Sequence, residues 1–247
     1  MYLKKSQMNR FKYLLSLIIV VSLISCSDQQ IIDDSVKNTG ALMQIMSGNL
    51  EATASLDSLE HKKHIYALGA LKNLEGEIQI FNSTSFISKA AAANSVQIDQ
   101  SFDHKATLLV YAQVEEWTDA VKLNAFSKNN ALEKQIKATA VKQGVDVSKP
   151  FPFLIKGKAT SLKWHVINWP ASDMVHNHKK HQESGSHGLL ENEEVTIIGF
   201  YSEKHKAIFT HHTTFLHMHF KTEMEHPIAG HVDGLSGNDL QLYLPQH

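Results

Sequence analysis

His217-Met218-His219 lies inside the strand-like run Thr213–Phe220. In an extended chain residues two apart share a face, so both imidazoles point one way and Met218 the other. Residues 221–230 carry Pro227 and Gly230 and can turn the chain back, bringing His231 alongside. Three neutral imidazoles that leave a fourth position for water or substrate make an open zinc site, and such an ion polarises a ketone oxygen as a Lewis acid. The competing reading is a chance pair of surface histidines, because the chain has 16 histidines and eleven of them fall between His176 and His231. The third histidine past the bend strengthens the metal reading without settling it. Glu77, in Leu74-Glu75-Gly76-Glu77-Ile78, opens a strand leading out of a turn. It reads either as a solvated carboxylate beside that turn or as a carboxylate facing the metal, available as a general acid or base.

Two other arrangements of the same residue types compete. His176-Asn177-His178-Lys179-Lys180-His181, followed by His187, reads as a mobile polar loop within residues 173–192. Such a loop is either a solvated insertion or a segment that gathers zinc or copper on a binding protein without turnover. His217-x-His219-x₃-Glu223-x₆-Gly230 also satisfies the latter part of a cupin motif, with Glu223 as a ligand, although His211 stands where the leading glycine belongs. His211 and His212 read as strand-end surface residues or as residues near the metal, and Trp117, Trp164 and Trp169 as core or rim packing rather than a ligand platform.

The elements that must position these groups are mostly strands. Ile65–Leu71 and residues 76–81 are apolar runs either side of the polar turn Lys72-Asn73-Leu74-Glu75, as in a hairpin. Residues 106–114 are rich in branched and aromatic side chains. One helix is expected over residues 129–143, where Leu132, Ile136 and Ala140 form a stripe and Gly144 is placed to end it. Residues 151–155, 161–167, 195–201, 206–210, 213–220 and 240–244 read as further strands. Many strands and few helices predict an α+β fold of mixed, strand-rich sheets.

Composition bounds the partners. A net charge of −1 with 43% hydrophobic residues describes a globular chain with a full core and argues against nucleic acid, which requires a basic excess. At the N-terminus Lys4, Lys5, Arg10 and Lys12 precede a short apolar run, Tyr13 to Ile24, that ends in Leu23-Ile24-Ser25-Cys26. This reads as an export signal over residues 1–25 with the one cysteine at a lipidation position. Residues 26–38 then form a tether and 39–247 a single domain. The expected location is the bacterial cell envelope, anchored to a membrane through lipid on Cys26. With no second cysteine, no internal disulfide is available.

At the chemically interesting residues the chain resembles the acetolactate decarboxylase family. Tyr66-Ala67-Leu68-Gly69-Ala70-Leu71-Lys72-Asn73-Leu74-Glu75-Gly76-Glu77 is similar to its segment ending in an acidic-Gly-Glu signature. Gly199-Phe200-Tyr201, Phe215-Leu216-His217-Met218-His219-Phe220 and Ala229-Gly230-His231-Val232 follow in the family's order. The resemblance spans about residues 40–247. It implies an acetolactate decarboxylase-like fold of two sheet-rich parts, often dimeric, with His217, His219 and His231 holding Zn²⁺ or another divalent metal. It also implies Glu77 as an active-site carboxylate, and a small 2-hydroxy-3-oxo acid such as 2-acetolactate converted to acetoin and CO₂. Departures accompany the matches. The family's active-site arginine, eight residues after a glycine matched by Gly157, is His165 here, and a histidine lacks the permanent forked charge of arginine. The family's threonine seven residues before the glutamate is Ala70. Its C-terminal extension with a second glutamate is not expected in a chain ending Leu244-Pro245-Gln246-His247.

Overall fold

The structure is a computed structural model that describes residues 35–246. The signal reading and Cys26 lie outside the described residues. In chain order the elements are β1 (Lys37–Thr39), α1 (Leu42–Met46), β2 (Ala54–Ser55), β3 (Ile65–Leu71), β4 (Glu77–Phe81), β5 (Thr84–Ala90), β6 (Val96–Asp99), β7 (Lys105–Gln113) and β8 (Val121–Lys122). They continue with α2 (Asn129–Lys142), β9 (Phe151–Val166), α3 (His178–Glu183), β10 (Ser186–Tyr201), β11 (Leu216–Thr222), β12 (Ala229–Gly237) and β13 (Gln241–Tyr243). The first strand begins at Lys37 and pairs with β7, so the folded body reaches two residues into the stretch read as tether.

Two antiparallel sheets result, as the α+β reading predicts. The first has the order β1-β7-β3-β4-β5-β6, with β2 also on β7. The second runs β10-β11-β12-β9-β13-β8, and β10 pairs with β9 as well, so β9, β10, β11 and β12 close into a ring. Every residue of β3 is buried because both of its faces are covered. Tyr66, Leu68 and Ala70 meet Leu154, Ile198 and Phe200 of the second sheet. Ile65, Ala67 and Leu71 pack on the opposite side with Leu56, Leu59 and Ile78. Each fully buried Leu, Ile or Phe among them contributes roughly 1.5–3 kcal/mol. The stripe Leu132, Ile136 and Ala140 of α2 is buried against the interior of the second sheet, and Gly144 (φ +82°) follows the helix end as expected.

Several elements differ from the sequence reading. Residues 151–155 and 161–167 form one 16-residue strand, because Lys156, Gly157 and Lys158 interrupt the apolar pattern but keep the ladder to β10. Residues 206–210 form no strand; the amides of Ile208, Phe209 and Thr210 all donate to the carbonyl of His205 in a tight turn. The strand carrying His217 starts at Leu216 rather than Thr213. Residues 173–192 are not a free loop: they hold α3 and the first part of β10. His176 stacks on Trp169 with ring centroids 4.4 Å apart, and His181 meets the same indole edge-on at 4.7 Å.

Gly76 bears directly on Glu77. Its φ is +150°, and a Cβ there would lie 2.3 Å from the carbonyl oxygen of Ser88 on β5. Gly76→Ala is therefore expected to lower the unfolding free energy by about 1–3 kcal/mol, read as a shift of the urea midpoint at constant slope. An unchanged midpoint would show that β4 and β5 separate freely at this point.

Candidate metal centre

The strand period and the register of three strands build the site. His217 and His219 project from one face of β11, while Met218 turns into the apolar interior of the second sheet. His219 is paired with His231 on β12, and His231 with His165 on β9, giving a lateral row of three imidazoles. Close approach of the strands at this row depends on Gly230, where a Cβ would stand 2.7 Å from the carbonyl oxygen of His165.

His217, His219 and His231 form a group able to hold a metal ion, their ligand atoms all within 4.8 Å of one another. Nε2 of His219 lies 3.2 Å from Nε2 of His217 and 3.2 Å from Nδ1 of His231. Two nitrogens bound to one tetrahedral zinc stand about 3.3–3.4 Å apart, from Zn–N bonds near 2.0–2.1 Å, so the donor set fits such an ion. Outer partners fix the rings. Nδ1 of His217 donates to the carbonyl of Phe209 at 2.7 Å, which leaves Nε2 as the ligand atom. The amide of Gln79 is 3.1 Å from Nδ1 of His219 and is itself hydrogen-bonded by the Ser88 hydroxyl at 3.1 Å. With an ion on Nε2, Nδ1 carries the proton and Gln79 presents its oxygen; the Ser88 hydroxyl serves either orientation, since it donates or accepts.

Burial sets the protonation states. It holds His217 at about 4 and pushes His219 and His231 well below the usual histidine range, so all three rings are neutral at pH 7 and ready to ligate. Glu77 moves the other way. Its carboxyl is buried, and desolvation raises it well above the ordinary carboxylate value against the lowering effect of the Ile167 amide, with the charge of Asp233 adding to the rise. Its Oε2 is 3.8 Å from Nε2 of His219 and its Oε1 3.7 Å from Nε2 of His165.

His165 is held from behind. Its Nδ1 is 3.0 Å from both oxygens of Asp233, which also accepts from Nε2 of Gln182 on α3 at 2.6 Å. Burial, the largest influence, would raise the Asp233 carboxyl, but the hydrogen bond and charge of His165, the hydrogen bond from Gln182 and the charge of His178 together leave the group below its usual value. This pairing keeps the proton on Nδ1 and turns Nε2 toward Glu77. Glu77, His165, His217, His231 and Asp233 share a cavity of about 250 Å³, whose apolar wall includes Ala70, Leu74, Leu108, Ile167 and Leu216.

The structure thus brings together Glu77, His165, His217, His219 and His231. Glu223, the ligand of the cupin reading, lies outside the group: it accepts from the Thr196 hydroxyl and from Lys221, each at 2.7 Å. Gln79, Asp233 and Gln182 were not legible as site residues. Gln79 had a signal, because it shares the inward parity of Glu77 in an otherwise apolar strand. Asp233 stands two residues after His231. For Gln182 no signal exists.

A two-sheet antiparallel body with an imidazole triad, a buried carboxyl and a small half-apolar cavity defines the class of protein, and comparisons place it. The profile of the Alpha-acetolactate decarboxylase family matches residues 37–246. The chain belongs to the acetolactate decarboxylase family, a family of carboxy-lyases. Among solved structures, alpha-acetolactate decarboxylase from Bacillus subtilis strain 168 shares the fold at a TM-score of 0.69 and 14% identity, over 86% of each chain. A Staphylococcus aureus protein described as of unknown function and similar to alpha-acetolactate decarboxylase does so at 0.68 and 16%, also over 86% of each chain. A search of curated protein sequences gives no match.

The outer partner of His219 yields a direct expectation. Gln79→Leu should weaken zinc binding by about 10–100-fold, the usual effect of removing such a partner, measured by competition with a chromophoric chelator. Glu223→Gln should leave that affinity unchanged; a loss there would revive the cupin-like ligand set.

Proposed function

We propose that this protein is a divalent-metal-dependent decarboxylase that converts 2-acetolactate, or a closely related 2-hydroxy-3-oxo acid, to acetoin and CO₂. One observation carries the reading: two rings of the neutral triad, His217 and His231, the Glu77 carboxyl that burial raises and the Asp233-held ring of His165 all line one small cavity, with the third ring, His219, 3.2 Å from the first two. When bound by His217, His219 and His231, zinc or a similar ion supplies Lewis acidity at the ketone oxygen.

The chain's own residues do the rest. The adjacent hydroxyl and ketone oxygens of such a substrate suit a site with open positions beside three imidazoles. The His165 ring, fixed by Asp233 through Nδ1, lines the cavity with Nε2 turned toward Glu77 and shapes the space that receives the substrate. Loss of CO₂ leaves an electron pair on carbon, and Glu77, whose hold on a proton burial strengthens, delivers a proton to one face. Ala70, Leu74, Leu108 and Ile167 exclude water from the carbon that receives it.

The lipid anchor on Cys26, the envelope location and a homodimeric state complete the proposal. Radiolabelled fatty acid is expected to enter the wild-type chain and not Cys26→Ser.

Turnover is tested with racemic 2-acetolactate, following acetoin and CO₂ together. A chelator should abolish activity and zinc should restore it. Glu77→Gln should lower kcat by about 10²–10⁴-fold, the range for general acid catalysis, while metal content is retained. His165→Ala should act mainly on KM. Metal-replete protein that forms no acetoin would reject the substrate assignment and favour metal binding without turnover.

A further inference from the structure

Two more histidine pairs lie outside the triad, and His178, His181 and His211 among them line its cavity. His176 and His181 are packed on Trp169, with Nδ1 and Nε2 3.0 Å apart. His178 on α3 and His211 in the connection between β10 and β11 approach each other across 33 residues of sequence, with Nδ1 of His178 3.3 Å from Nε2 of His211. We propose that His178 and His211 bind a second divalent transition-metal ion, of the zinc or copper(II) class, that bridges α3 to the 202–215 connection beside the triad's cavity.

Geometry supports the pair as ligands. Their separation matches the roughly 3.3–3.4 Å expected of two nitrogens on one tetrahedral ion with bonds near 2.0–2.1 Å. The rear nitrogen of His211 is engaged by Thr213: its Nδ1 lies 2.8 Å from the hydroxyl and 3.4 Å from the backbone amide, so ligation through Nε2 requires Nδ1 to carry the proton and donate it to the hydroxyl oxygen. Both side chains line the cavity that holds Glu77 and Asp233. Each ring is neutral at pH 7, since burial lowers His178 and holds His211 at about 4. The His176–His181 pair is a poorer candidate, because both rings are engaged by the indole.

The two sites differ in strength by construction. Three protein nitrogens hold the first ion, whereas two hold the second and solvent completes its shell. The second ion is therefore weaker and exchangeable, and copper(II) binds it more tightly than zinc. Bound there, it ties α3, whose Gln182 donates to Asp233, to the 202–215 connection. The assignment stands independently of the reaction proposed above.

Equilibrium dialysis of the full chain against zinc, with metal counted by mass spectrometry, tests it. Wild type should show a tight and a weaker class of site. His178→Ala and His211→Ala should each lose the weaker class and keep the tight one, His217→Ala should do the reverse, and His181→Ala should keep both. Copper added to zinc-loaded wild type should give an electron-spin spectrum with imidazole nitrogen couplings, a readout that needs no variant. A single class of site in wild type, a weaker class that survives both His178→Ala and His211→Ala, or a copper spectrum without nitrogen couplings would overturn the proposal and leave an ordinary N–H···N bond between the two rings.

Discussion

Neutral imidazoles facing one another at 3.2 Å in a buried cluster are the constraint on which the rest of this molecule rests. Each neutral ring brings one N–H and one lone pair, and charging several rings in so small a volume would cost several kcal/mol per ion. With Phe209 and Gln79 occupying the rear nitrogens of His217 and His219, the front nitrogens converge with lone pairs toward a common point. A cation at that point relieves the crowding. The closed ring of β9 to β12, and the bare Gly230 that lets two strands approach, keep the nitrogens from moving apart.

The two sheets divide the remaining tasks. The second supplies every imidazole of the row, together with Asp233. The first supplies Glu77 and Gln79 from alternate positions of β4, whose intervening residues Ile78 and Ile80 are buried on the other side. The apolar contact between Tyr66, Leu68, Ile198 and Phe200 thus does more than stabilise the fold. It sets the distance from the acid to the imidazoles, which no local interaction within either sheet could fix. Trp169 adds a third layer by holding residues 176–181 against the site.

Much of this could be read from residue order. The period-two spacing of His217 and His219, the turn ahead of His231 and the hairpin around Glu77 each have a local signature, and the structure realises all three. What escaped were features set by partners distant in sequence. β12, Ala-Gly-His-Val-Asp-Gly-Leu-Ser-Gly, has little strand propensity and is extended because β9 and β11 flank it. Gln79 and Asp233 look like ordinary polar residues until the opposite strand is known. The histidine-rich stretch looked like loose chain by composition, yet an indole and a helical turn order it. Residues 206–210 erred the other way, with strand-like side chains in a segment closed by one carbonyl.

The triad also has a kinetic character that the acid lacks. His219 and His231 are only 12 residues apart, on adjacent strands of one hairpin, whereas the contact of Gln79 with His219 spans 140 residues. Closing a short loop takes little chain entropy, and long-range pairings form more slowly. The ligands can therefore assemble while the first sheet is still unstructured, and the carboxyl reaches them only when the sheets dock. A chain caught between those events would hold its ion without any means of delivering a proton.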